Sequence, residues 1–214
     1  MIRFLLIRHG ESLSNLGNYF TGQLDVDLTP LGYEQAELTA AFIAENYRVD
    51  AIVSSDLQRA RHTVDALTRV LGMPYVTDVG LRELFGGEFE GVTYEILRRN
   101  WTEPYGHWVR DIGTASPPGG ETMAEVQVRG EAALRRLAAK TADGSVVAVG
   151  THAAFIRTLM CRWKGLPLGE MKNIPWVANA SVTEVDYDGE CFRLARENLC
   201  AHLGTLRTDI PPNV

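Results

Sequence analysis

Arg3-Phe4-Leu5-Leu6-Ile7-Arg8-His9-Gly10-Glu11-Ser12 decides how this chain is read. Arg3 to Ile7 has the length and apolar character of a buried strand, and it stops abruptly on Arg8-His9-Gly10. A buried strand that delivers an arginine and a histidine to its C-terminal end predicts the functional edge of an α/β sheet, where ligands bind. Gly10 is expected to permit a tight turn and to let a ligand approach the backbone.

The same design recurs at Ser145 to Gly150, an apolar strand that ends in Thr151-His152 and is followed by a helix to about Trp163. In a mostly parallel sheet the two strand ends share an edge, so His9 and His152 are expected to face each other. Between them the chain alternates strands and helices. A helix runs from Pro30 to about Asn46, with Thr29 as N-cap and Leu31, Leu38, Ala41 and Phe42 on one face. Asp50 to Ser54 is a strand. Asp56 is expected to cap the next helix, whose core stripe is Leu57, Ala60, Val64, Leu67 and Leu71. Arg59 lies off that stripe, in the first turn. Gly72 ends the helix, and Pro74 to Thr77 is a short strand.

Gly17 to Asp27 reads as a polar loop, and Leu81 to Gly91 as a loop with special backbone angles at its glycines. Thr93 to Arg99 and Glu121 to Lys140 are helices. Asn100 to Gly120 reads as helical pieces, in which Trp101, Tyr105 and Trp108 either meet a ligand or pack the segment down. Two strands, Ser181 to Tyr187 and Cys191 to Glu197, join at Asp188-Gly189, and the tail from Leu203 with Pro211-Pro212 is expected to be loosely held. The expectation is one domain over residues 1–214, with an excursion at about 92–120 covering the site.

The chain has 214 residues and 45% hydrophobic residues, enough for a full core. Its net charge of −6 argues against nucleic acid as a partner, so any anionic substrate must meet a local basic cluster. Cys161, Cys191 and Cys200 are odd in number and widely spaced, which indicates neither a zinc site nor a disulfide framework and fits a reduced cytoplasm. No run is long enough to span a bilayer, so no membrane partner is expected.

Arg8, Arg59, His9 and His152 at one sheet edge make a site for a group with several anionic oxygens, and phosphoryl is the natural candidate. A neutral imidazole is a competent nucleophile towards phosphorus. Flanking arginines stabilise the transferring group and keep the imidazole unprotonated. A leaving alkoxide needs a proton. Glu83, in the glycine-rich loop, is the candidate acid, because a carboxyl beside a bound phosphate has its pKa raised by like charge; Glu88 and Glu90 lie near it in sequence, and Glu11 lies near His9. His62, His107 and His202 are given no chemistry, and Arg61 and Arg82 are read as solvated charges.

These residues resemble the histidine phosphatase superfamily, the phosphoglycerate mutase-like proteins. The likeness starts at Leu6-Ile7-Arg8-His9-Gly10-Glu11-Ser12 and continues through Asn15, Thr21-Gly22, Asp27-Leu28-Thr29-Pro30-Leu31-Gly32 with Gln35-Ala36, and Ser54-Ser55-Asp56-Leu57-Gln58-Arg59-Ala60. It ends with Leu81-Arg82-Glu83, Pro118-Gly119-Gly120-Glu121 and Thr151-His152. The motifs keep the family's order over about the first three quarters of the chain.

The resemblance implies a three-layer α/β/α sandwich with a mostly parallel sheet. It implies that His9 is transiently phosphorylated, that Arg8, Arg59 and His152 complete the phosphate pocket, and that Glu83 is proton donor and later base. Asn15, Thr21 and Gly22 would line the substrate side, and the Ala153 N–H would contact phosphate. It implies no metal, no cofactor, a small phosphate ester as substrate, and leaves a homodimer open. One departure is Ala153-Ala154, where the family commonly has Gly-Gly; Ala keeps the N–H and is strained only at positive φ. The reading is a metal-independent phosphatase. The alternatives are a cofactor-dependent phosphoglycerate mutase and a non-catalytic phosphate-binding regulator. Leu84-Phe85-Gly86-Gly87 after Glu83, where the mutases typically carry Tyr-Gly, favours the phosphatase.

Overall fold

The structure, a computed structural model, describes residues 1–208. Among them β1 (Ile2–Arg8), β2 (Ala51–Ser54), β3 (Tyr75–Thr77), β4 (Val146–Thr151), β5 (Val182–Tyr187) and β6 (Phe192–Leu199) form one sheet in the order β3-β2-β4-β1-β5-β6. β1 to β4 are parallel and β5 runs against its neighbours. The helices are α1 (Leu13–Gly17), α2 (Pro30–Asn46), α3 (Gln58–Leu71), α4 (Tyr94–Asn100), α5 (Thr102–Arg110), α6 (Met123–Ala138) and α7 (Ala153–Trp163).

The two faces of the sheet carry separate apolar clusters. Leu5 and Ile7 of β1 meet Ile43 of α2 and Leu67 of α3 on one face. Phe4 and Leu6 meet residues of α4 to α7 on the other. Side chains alternate across a strand, so a strand buried on both faces must be apolar at every position. That is why the opening stretch reads as an unbroken run, and the result is a three-layer α/β/α fold. Arg8 lies beside Thr151 in the parallel register, and the His9 N–H donates to the Thr151 carbonyl at 3.0 Å. α2 and α7 then leave to opposite faces, which opens a crevice at these strand ends.

The caps of α2 match the sequence: Thr29 Oγ1 accepts the Gly32 N–H at 3.0 Å and Pro30 stands at the first helical position. Its buried face does not. Gln35, Ala36, Thr39, Ala40 and Ile43 point inward, while Leu38 is exposed. The helix lies so close to the first turn that small residues must face it. A Cβ on Gly32 would come within 2.0 Å of the Glu11 carbonyl, and one on Gly10 within 2.4 Å of the Gly32 carbonyl. Gly10 therefore admits α2 rather than a ligand.

Asp56 does not cap α3; Leu57 holds the N-cap position, and the Asp56 carboxylate takes both Nε and Nη2 of Arg82. Arg82 is thus an ion-pair partner tying two loops, not a solvated charge. The tail is better held than its composition suggests. Leu203 is buried, and Gln35 Nε2 donates to the Leu206 carbonyl and to Thr208 Oγ1. Pro211-Pro212 lies outside the described residues.

Candidate active site

Arg8 and Arg59 are both about 1% exposed, so each guanidinium is almost wholly out of water. Arg59 Nη1 and Nη2 donate to the carbonyls of Leu24 and Gly22 at 2.8 Å, and Arg8 Nη1 donates to the Val177 carbonyl at 2.6 Å. A guanidinium held by carbonyls is oriented to receive an anion, and Arg59 is held in this way. Burial pulls the Arg59 pKa down to about 10, against the raising effect of Glu83 and Asp25, and Arg59 is still a cation at neutral pH.

The His9 ring lies 5.3 Å from the His152 ring, centroid to centroid. His9 Nδ1 is 2.7 Å from the Gly10 carbonyl, an acceptor only, so Nδ1 carries the hydrogen. In the neutral ring Nε2 then holds the lone pair. Burial first, and the charges of Arg59 and Arg8 after it, hold the His9 pKa well below 6.5, so the ring is neutral at physiological pH. His152 Nε2 is 2.9 Å from Ser55 Oγ, and Ser55 Oγ also accepts the Leu57 N–H at 3.4 Å. The serine hydroxyl can donate to Nε2 or accept from it, and Nδ1 is buried with no hydrogen-bond partner among the described residues. Burial and then Arg59 depress the His152 pKa well below 6.5 as well.

Two histidines buried neutral make folding sensitive to acid. The unfolded chain takes up protons near pH 6.5 and the folded chain only at lower pH, so protons favour unfolding. Their contribution is full above 6.5 and is lost progressively below it, by up to about 1.4 kcal/mol per pH unit for each ring. Unfolding free energies from urea titrations at pH 7.5, 6.0 and 5.0 are expected to fall accordingly, and His9→Gln to remove part of the slope. Equal slopes for wild type and variant would contradict the assignment.

Glu83 is the one acidic residue lining the pocket among the described residues. Its Oε2 accepts the Ala154 N–H at 3.1 Å and its Oε1 the Phe155 N–H at 3.2 Å, so the carboxylate sits on the N-terminus of α7. Glu11, Glu88 and Glu90 are engaged elsewhere, by Thr29, by Trp101, and by the amides of Gln23 and Gly86. Ala153 is the first residue of α7 and is not among the positive-φ residues, so alanine fits without strain. The Gly-Gly of the family is not needed for this turn. The first N–H of a helix has no intrahelical partner, and Ala153 lines the pocket.

Arg8, His9, Asn15, Thr21, Gly22, Arg59, Glu83 and Ala153 all line one pocket of about 590 Å³ of empty space, part of it open to solvent. His152 stands behind its wall, against His9. Asn15 Oδ1 accepts from the Ser12 N–H and from Asn179 Nδ2, which leaves its amino group for a ligand. The other walls are Phe20, Leu84, Tyr94, Trp108 and Trp176, with Ala154. Of Trp101, Tyr105 and Trp108, Trp108 alone lines the pocket, whereas Tyr105 is in the core and Trp101 packs against it; Tyr94, at the start of the excursion, lines the pocket as well. Trp176 had no signal in the sequence, since it sits in an irregular segment without periodicity.

The profile of the histidine phosphatase superfamily (branch 1) matches residues 4–199, and the chain belongs to that superfamily. A glucosyl-3-phosphoglycerate phosphatase of Mycolicibacterium vanbaalenii is 34% identical over 204 residues, 89% of either chain. A 2,3-bisphosphoglycerate-dependent phosphoglycerate mutase of Chelativorans sp. is 34% identical over 167 residues, 76% of this chain and 81% of the other. The solved structure of mycobacterial glucosyl-3-phosphoglycerate phosphatase with VO3 is similar at a TM-score of 0.84 and 29% identity, over 92% of this chain and 98% of that one.

Proposed function

We propose that this protein is a metal-independent phosphomonoester phosphatase that acts on a small phosphorylated metabolite through a phosphohistidine. The observation that carries the reading is a neutral His9 whose Nδ1 is tied to the Gly10 carbonyl, in one pocket with two buried arginines and the Glu83 carboxylate. The phosphatase relative at 34% identity supports it.

The phosphoryl oxygens take the guanidinium hydrogens of Arg8 and Arg59 and the Ala153 N–H, and His152, packed against His9 behind the wall, holds the His9 ring in place. His9 Nε2 attacks phosphorus, and the P–O ester bond on the opposite side breaks. Its electron pair leaves on the alcohol oxygen, which takes the proton of the Glu83 carboxyl. Ionised Glu83 then accepts a proton from water as the water oxygen attacks phosphorus. The N–P bond breaks, its pair returns to Nε2, and inorganic phosphate departs. The arginines are already held by carbonyls, so no reorganisation is needed as charge builds on the transferring group.

Hydrolysis of p-nitrophenyl phosphate that persists in EDTA tests the reading, together with an acid-labile phosphoprotein trapped by rapid quench. The superfamily's mutases share the first half of this chemistry, and a mutase relative keeps that reading alive. Phosphoryl exchange dependent on a bisphosphoglycerate primer, without net hydrolysis, would replace the phosphatase with a mutase. No turnover and no phosphoprotein would favour a binding protein.

Ser55 acts here as a positioning residue for His152. Ser55→Ala is expected to lower kcat/KM for p-nitrophenyl phosphate about tenfold, the order of one lost hydrogen bond to a buried ring. Lower thermal stability with an unchanged kcat/KM would reduce Ser55 to a packing role.

A further inference from the structure

We infer that the leaving-group half of the pocket is built for a phosphomonoester whose alcohol is uncharged and apolar, a flat ring by preference. This rests on the phosphatase reading, and it names the substrate class that the reading leaves open.

The described lining of the pocket carries few charged side chains. Arg8 and Arg59 are the sole cationic side chains among its lining residues, and both are assigned to the phosphoryl group. A second acidic group on the substrate, such as the carboxylate of a phosphoglycerate, would meet no further cationic side chain among the described lining residues. Burying an uncompensated carboxylate is costly, so a phosphoglycerate is disfavoured on charge alone. Asn15 and Thr21 offer neutral donors, enough to hold an ether or hydroxyl oxygen but not to balance a charge.

The remaining wall is apolar and flat. Phe20 and Trp108 meet edge to face with centroids 5.2 Å apart, and Leu84 adds a buried aliphatic surface. Tyr94 stays a neutral phenol, because burial raises its pKa. Trp176 is backed by Arg157, whose guanidinium lies 3.8 Å from the centre of the indole. Arg157 is itself buried and tied to the carbonyls of Ile174 and Met171. It does not line the pocket, so a ligand meets the indole rather than the cation behind it. A cation stacked on an indole holds the ring in one orientation, giving a fixed platform instead of a mobile side chain. Pre-set aromatic walls with few polar groups are how proteins take apolar ligands.

The test compares kcat/KM for 2-phenylethyl phosphate, ethyl phosphate, glycerol 3-phosphate and 3-phosphoglycerate. All are primary alkyl esters, so leaving-group chemistry is matched. 2-Phenylethyl phosphate is expected to exceed 3-phosphoglycerate by roughly thirtyfold or more, the order gained by burying one ring. In Trp176→Ala the ratio of 2-phenylethyl to ethyl phosphate is expected to fall about tenfold, whatever happens to the absolute rates. Hydrolysis with 3-phosphoglycerate equal or preferred, or a ratio unmoved in Trp176→Ala, overturns the inference and leaves the phosphatase reading standing. No hydrolysis of any ester and no phosphohistidine overturns that reading and the inference with it.

Discussion

His9→Ala is expected to lower kcat/KM for p-nitrophenyl phosphate by at least about 10⁴-fold, because it removes the nucleophile on which both half-reactions depend. The remaining pocket would still bind phosphate through Arg8 and Arg59, so inhibition constants should change far less than turnover in any variant that retains residual activity. The fold should survive: the lost ring is a neutral group whose one side-chain hydrogen bond among the described residues is to the adjacent Gly10 carbonyl. Circular dichroism and thermal unfolding check that point. The same substitution should abolish the quench-trapped phosphoprotein, which in wild type should be labile in acid and stable in base, as a phosphoramidate is. Residual activity above about one per cent, or a phosphoryl label retained in the variant, would move the nucleophile elsewhere.

Glu83→Gln is the second large effect, and its size should depend on the leaving group. Glutamine keeps the shape of the side chain and one oxygen that can accept one of the two α7 amides, while its proton chemistry is lost; thermal unfolding checks that the fold is retained. An alkyl phosphate needs a proton on its departing oxygen, and its kcat/KM should fall by about 10²- to 10⁴-fold. p-Nitrophenolate departs without one, so phosphorylation of His9 by p-nitrophenyl phosphate should be much less affected. Hydrolysis of the intermediate still requires a base. The variant should therefore show a burst of p-nitrophenol followed by a slow steady state, with phosphohistidine accumulating. An equal loss with both esters and no burst would make Glu83 a structural cap of α7 and not an acid and base.

The sheet was readable from the chain because β1 and β4 are covered on both faces and must be apolar at every position. The helix ends at Thr29-Pro30 and Gly72 were readable because capping is local chemistry, decided by residues within one turn. The cationic half of the site follows from the same locality. Arg8-His9 and Thr151-His152 end strands that lie side by side, and Arg59 opens the helix after a third strand.

Other features depend on partners far along the chain. The inward face of α2 is set by the close approach of Gly10 and Glu11, which favours Ala and Thr over the leucines that periodicity selected. Asp56 was a plausible cap until Arg82 claimed its carboxylate. Ala153-Ala154 looked like a defect beside the usual glycines, but the backbone there is ordinary helix. Glu83 stands apart from three neighbouring glutamates only because α7 offers it two free amides. Phe20, Tyr94, Trp108 and Trp176 come from four separate segments, and no spacing along the chain joins them. Local pattern reports burial, caps and the order of motifs, since each depends on neighbours in sequence. The leaving-group wall is made by contacts between distant segments, so it appears only when the chain is folded.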